Sequence, residues 1–160
     1  MKVAKTLRHK ILNHSSIFDE TIRVYNEALS FIIEVIDNEV ADTNTYSTKE
    51  MTNIIESFIH TTKSNPNPKY TEFNQRFYKF PSYFRRAAIA TAFGKVKSYC
   101  SLRKNWETEK QVALENGRKF NKQPPTKQFT HKEFPVLYKG NMFEKTSDRT
   151  AFVKAFVKND

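Results

Sequence analysis

The sequence holds a single cysteine, Cys100, in 160 residues. An internal disulfide and a Cys-rich zinc site are both excluded on that count. Glycine is nearly as scarce. Gly94, Gly117 and Gly140 lie too far apart to build a Walker or Rossmann phosphate loop. No run approaches the roughly 18 uncharged apolar residues of a transmembrane helix, so no membrane partner is expected. Charges run through Met1 to Lys10, where a signal peptide would hold its apolar core. The four histidines, His9, His14, His60 and His131, share no ligand spacing of the His-Glu-x-x-His kind. No metal or other cofactor is expected. What the chain does have is 38% apolar and 14% aromatic residues, which excludes a disordered tail. Its length suits one domain, or one domain with an insertion. The expectation is a soluble cytoplasmic protein.

Charge is the feature in excess. The formal net is +10, and it is unevenly placed. Residues 1–60 carry 6 Lys+Arg and 9 Asp+Glu, a net of −3. Residues 61–160 carry 21 and 8, and 16 of those basic residues fall in 61–132 beside only 4 acids. Such a density favours a polyanionic partner over a small acidic substrate. The plainer alternative is a solvated lysine-rich surface.

The apolar pattern changes period along the chain. Val3 to Leu12 alternates as a strand does. From Ile17 to Val40 apolar residues recur at three- and four-residue steps, predicting an amphipathic helix entered through Asn13 to Ser16. Ser47 and Glu50 stand at capping-box spacing before a helix that buries Met51, Ile54, Ile55, Phe58 and Ile59. Pro66 and Pro68 break it. A short aromatic helix is predicted over 70–79, then one long helix from Ser82 to about Glu115, closed by Asn116-Gly117. A basic linker with Pro124-Pro125 follows over 118–132. Strands are predicted over Phe134–Tyr138 and Ala151–Val157, with a turn at Lys139-Gly140-Asn141. The fold class is α+β. A β domain of 1–14 and 133–160 is interrupted by a helical insertion, 15–132, of three to four helices, one of them long. A terminal strand with nothing after it predicts a fragment or a truncated gene product.

The long helix is the candidate binding element. At 100° per residue Arg86, Lys97 and Lys104 fall within about 20° of one another, over a rise of about 27 Å. Arg85 and Arg103 form a second stripe about 100° away. Ala88, Ala92, Tyr99 and Trp106 share a separate apolar face. Just upstream, seven aromatics crowd between Tyr70 and Phe84, with Arg76 and Lys79 among them. Aromatics beside cations can stack bases while phosphates are held. Helical spacing assigns Phe73, Phe77 and Phe84 to the core instead, leaving Tyr78 and Tyr83 as base platforms. Glu20, Glu27 and Glu34 repeat every seven residues, and carboxylates so placed could hold Mg²⁺ for a nuclease, or form a solvated face. Cys100 reads as a small hydrophobe, since no motif supplies it with a base.

The phrase Arg76-Phe77-Tyr78-Lys79-Phe80-Pro81-Ser82-Tyr83-Phe84-Arg85-Arg86-Ala87-Ala88-Ile89-Ala90 resembles the N-terminal part of transposon-encoded TnpB proteins, the OrfB-family transposases. Gln123-Pro124-Pro125-Thr126 with Phe134 to Phe143, and Asn26-Glu27-Ala28-Leu29-Ser30-Phe31, fit the same pattern. The resemblance implies an RNA-guided DNA endonuclease of prokaryotic insertion sequences, associated with the nucleoid when bound. It implies a wedge domain, a small oligonucleotide-binding-like β-barrel interrupted by recognition helices that hold a guide RNA scaffold and read DNA beside the target. The RuvC-like nuclease and its zinc insertion are absent from these residues, so the chain alone is expected not to be an enzyme. The expected function is nucleic-acid binding. Arg76, Lys79, Arg85, Arg86, Lys97, Arg103 and Lys104 would hold phosphate, with Tyr78 and Tyr83 against bases. The alternatives are a Mg²⁺-dependent nuclease built on the acidic first helix, and a protein-interaction fragment that needs a C-terminal nuclease half.

Overall fold

The computed structural model describes residues 12, 15–127, 129, 132–138 and 140–157. In chain order these form helix α1 (Ser16–Glu39), a 3-10 turn (Thr43–Thr45), α2 (Thr48–Ile59), α3 (Glu72–Arg76), α4 (Ser82–Glu115), and strands β1 (Phe143–Lys145) and β2 (Ala151–Val153). Four helices thus carry a small antiparallel sheet, in which Glu144 faces Phe152. Among the described residues the two strands pair only with each other and close no barrel. The strand expected over Val3–Leu12 lies, but for Leu12, outside the described residues.

The helix boundaries follow from local chemistry. The Ser15 hydroxyl accepts from the Ile17 amide at 3.4 Å and caps α1. At α2 both halves of the capping box form. Ser47 Oγ accepts from the Glu50 amide at 3.3 Å, and the Glu50 carboxylate accepts from the Ser47 amide at 2.8 Å. Those bonds hold the Glu50 carboxyl below the usual carboxylate range. Gly117, at φ +64°, ends α4. Its amide donates to Leu114 and that of Arg118 to Ala113, so two terminal carbonyls are satisfied.

The core sits where α1 crosses α4, with α2 and α3 closing its sides. Val24, Ala28, Leu29, Ile32 and Ile36 of α1 meet Phe84, Ala88, Ile89 and Ala92 of α4, all at most 1% exposed. Each fully buried Leu, Ile or Phe contributes about 1.5–3 kcal/mol. Met51, Ile55 and Ile59 are the fully buried positions of α2, while Ile54 and Phe58 are half-buried at its edge.

The aromatic segment is shorter as a helix than its spacing predicts. Only Glu72–Arg76 is helical, because Lys79 takes a left-handed φ of +55° and the Phe80 amide turns back to Phe77 at 3.0 Å. That turn sends Phe80 inward. Phe73, Phe77, Phe80 and Phe84 then touch in series, at centroid separations of 4.9, 5.9 and 6.1 Å. The crowding of aromatics is therefore mainly core packing.

The C-terminal segment departs further from expectation. Phe134–Tyr138 forms no strand among the described residues. Pro135 has no N–H to offer a ladder, and Glu133 has spent its backbone on Asn26. Asn26 Nδ2 donates to the Glu133 carbonyl at 2.9 Å, and its Oδ1 accepts from the Glu133 amide at 3.0 Å. Five residues earlier on α1, Thr21 Oγ1 accepts from the Phe156 amide at 3.0 Å and lies 2.9 Å from the Phe156 carbonyl. The second strand stops at Val153, short of the expected Val157: Lys154 still donates to the Met142 carbonyl at 2.9 Å, but Phe156 bonds to a helix instead of a neighbouring strand. Two polar side chains of α1 thus fasten the returning chain to the bundle.

Candidate nucleic-acid interface

Helix α4 changes character along its length. Residues 84–96 supply eight buried positions, ending at Val96. From Lys97 to Glu115 none is buried. That second half rises about 28 Å. It is flanked by the chain returning from Gly117. Trp106 Nε1 donates to the Lys122 carbonyl at 2.8 Å and its ring meets Phe120 edge-on at 5.6 Å. Lys122 reaches Glu109 at 2.8 Å, and further back Tyr99 meets Phe129. Helix and return segment together form an arm. Residues 97–122 carry seven Lys+Arg and three Glu.

The cations expected to hold phosphate divide into three groups. Arg85 is withdrawn from any surface. It is 7% exposed and its Nη2 lies 3.2 Å from Glu56 of α2. Burial pulls its guanidinium below the ordinary value, with Glu56 opposing the shift. Its assignment to phosphate does not fit this placement.

Arg76, Arg86, Lys97 and Arg103 are partly engaged. Arg86 shares Glu56 at 3.4 Å, and Lys97 reaches the Tyr46 carbonyl at 3.4 Å while lying 5.3 Å from the Phe93 ring. Arg76 lies over Phe77 and 3.7 Å from Glu27. Arg103 pairs with Glu107 at 2.7 Å, which raises its pKa, and lies over Trp106.

Lys79 and Lys104 are exposed and make no ion pair among the described residues. The stripe Arg86–Lys97–Lys104 is consequently not one free face, because α2 and the 3-10 turn lean on its first two members. Tyr78 is 57% exposed with Lys79 over its ring at 5.1 Å, a cation and an aromatic face presented together. Tyr83 is half-buried against Tyr138, at 5.6 Å.

Three further cations on the arm were not singled out by helical geometry. Lys110, Arg118 and Lys119 are exposed and make no ion pair among the described residues. Lys110 lies 5.1 Å from the Trp106 ring. Arg118 and Lys119 follow the helix end, so helical angles say nothing of them. The available signal was their place in the basic linker.

The acidic face of α1 is occupied at two of its three carboxylates, with Glu34 exposed. Arg23 bridges Glu20 at 2.6 Å and Glu27, and both carboxylates raise its pKa, Glu20 most. Among the described residues no cluster of three or more His, Cys, Asp or Glu could hold a metal ion. Cys100 is half-buried on α4 beside the core. His60 lies near Arg85 and Glu56, and burial holds its pKa below the ordinary histidine value. His9, His14 and His131 lie outside the described residues. No described helix is long and apolar enough to cross a membrane.

No curated protein and no solved structure matches the chain. The model of the Aq_aa04 family matches residues 5–157, nearly the whole sequence, and the chain belongs to that family.

Proposed function

We propose that this chain binds nucleic acid, and that the arm is its phosphate-binding surface. One observation carries the reading. Lys104, Lys110, Arg118 and Lys119 stand exposed on a projecting arm and make no ion pair among the described residues. Unpaired cations on a surface that buries little of its own apolar area attract an extended anion, and released counterions supply the affinity. Lys79 with Tyr78 adds a second cationic site, outside the arm, that pairs charge with an aromatic face.

The finer reading is that of the wedge and recognition part of a TnpB-like system. It rests on the sequence phrases over 26–31, 76–90, 123–126 and 134–143. In that reading the arm holds a guide RNA scaffold, DNA is the second ligand, and cleavage belongs to a partner nuclease half. A structured RNA is then preferred over duplex DNA of equal phosphate number.

Binding of a fluorescent RNA hairpin measured across a salt series tests the proposal. The logarithm of affinity falls linearly with the logarithm of salt, and its slope shrinks by roughly 0.7–0.9 for each phosphate contact removed. Lys104→Glu with Lys119→Glu flattens the slope and weakens binding without changing the thermal midpoint. Affinity that is the same at low and high salt would falsify the proposal.

A second reading has its own observation. Val136 and Phe152 are 60% and 73% exposed, large apolar side chains presented near the C-terminal hairpin. A further polypeptide docking there would cover them, in keeping with a partner half. The Mg²⁺ reading is less favoured, since Arg23 pairs with Glu20 and Glu27, two of the three carboxylates it uses.

A further inference from the structure

Gly94 stands inside α4, twelve residues after its first member Ser82 and twenty-one before its last, Glu115. A glycine there is unfavourable, because it loses more backbone freedom on folding than alanine does. Glycine is normally excused in a helix by a neighbour that comes too close. Among the described residues no such neighbour exists here, since a Cβ at Gly94 would meet nothing within 4 Å. The position opens on a cleft of about 480 Å³ between α4 and the returning segment, a size within the range of small-ligand sites.

The cleft has the chemistry of a flat, polar-edged ligand. Tyr99 and Phe129 form two of its walls, with ring planes 85° apart and centroids 6.4 Å apart. A ring laid on one wall therefore meets the other edge-on. The Ser98 and Thr126 hydroxyls line the same space and have no hydrogen-bond partner among the described residues. Each can donate or accept, which suits the mixed edge of any base and discriminates little among them. Leu102 lines the end of the cleft nearer the arm. Of the arm's cations Lys110 lies about 80° round the helix from it, exposed and with no ion pair among the described residues, while Lys104 lies on the opposite face.

We propose that this cleft takes one unstacked nucleobase of a single strand whose phosphates lie on the arm. The inference rests on the nucleic-acid reading and deepens it, by making part of the affinity depend on a base. The missing side chain at Gly94 lets the ring approach the helix backbone. Tyr99 and Phe129 supply stacking and edge contacts, which tolerate any base because every base has a π-face.

Two oligonucleotides of equal phosphate number test it, a polythymidylate strand and its fully abasic counterpart. The intact chain binds the abasic strand about tenfold more weakly, the loss expected for one stacked base. Gly94→Leu fills the cleft and brings the two affinities together, while the salt slope stays as in the unmodified chain. Gly94→Ala narrows the gap in part, and its thermal midpoint does not fall, which separates a lost site from a damaged fold. Equal binding of both strands by the intact chain, with a steep salt slope, overturns the cleft and leaves the arm standing. A gap that persists in Gly94→Leu also overturns it. Binding of neither strand at low salt overturns the cleft, and the hairpin salt series then decides the arm by itself.

Discussion

Helix α4 is one continuous helix with two unlike halves. Up to Val96 it is the central wall of the core, touching α1, α2 and the 3-10 turn. Beyond Lys97 it projects with, among the described residues, a single extended segment for company. The pair Arg85 and Arg103 shows what the difference means. They lie at the same angle around the helix, yet Arg85 is sealed against Glu56 while Arg103 sits at the surface beside Glu107. The half that faces other helices uses its charge for structure. The half that faces water holds Arg103 in a surface pair and leaves Lys104 and Lys110 exposed with no ion pair among the described residues.

The sharpest way to break the comparison is to truncate one large apolar side chain in each half. Phe84→Ala leaves a cavity at the aromatic series and costs about 3–5 kcal/mol in chemical denaturation. Leu114→Ala, at an exposed position, shifts stability by no more than about 0.5 kcal/mol. Similar losses at both sites would mean that the arm is packed as tightly as the core.

Removing the two carboxylates comes next. Glu56→Ala leaves Arg85 charged and buried, and costs about 3 kcal/mol. Glu107→Ala leaves Arg103 in water, and the denaturation midpoint stays where it was. A large effect at Glu107 would place that pair inside a structure-bearing network.

The smallest expected effect sharpens the environment of Arg85. The folded pKa of His60 is lowered, chiefly by burial and then by Arg85. The unfolded chain therefore binds a proton first, near the ordinary histidine value of about 6.5. Stability is fully present above that value and declines as pH falls through it toward the folded pKa. His60→Asn flattens the pH dependence of the thermal midpoint in that window. A midpoint that rises on acidification would reverse the sign and contradict the burial.

Much of the helical part was legible because its causes are local. Caps act over three residues, as at Ser47 and Glu50, and proline and Gly117 end helices by their own backbone limits. The assignment of Phe73, Phe77 and Phe84 to the core was read from spacing alone. The aromatic helix was overextended because nothing local signals the left-handed turn at Lys79. The strand over Phe134–Tyr138 failed for a longer-range reason. An alternating pattern shows only that a segment can pair, and Asn26, more than a hundred residues away, claimed the backbone of Glu133.

The candidate site divides along the same line. The sequence by itself determined that the excess charge follows residue 60 and that one long helix and the linker after it carry most of it, since charge and periodicity are properties of the chain. Only the tertiary structure decided which of those cations remain available. Glu56 took Arg85 and Arg86, the Tyr46 carbonyl took Lys97, and the length of α4 beyond its last buried residue left Lys104, Lys110, Arg118 and Lys119 in water. Availability depends on what packs against a side chain, and the partners that packed here come from elements far off in sequence.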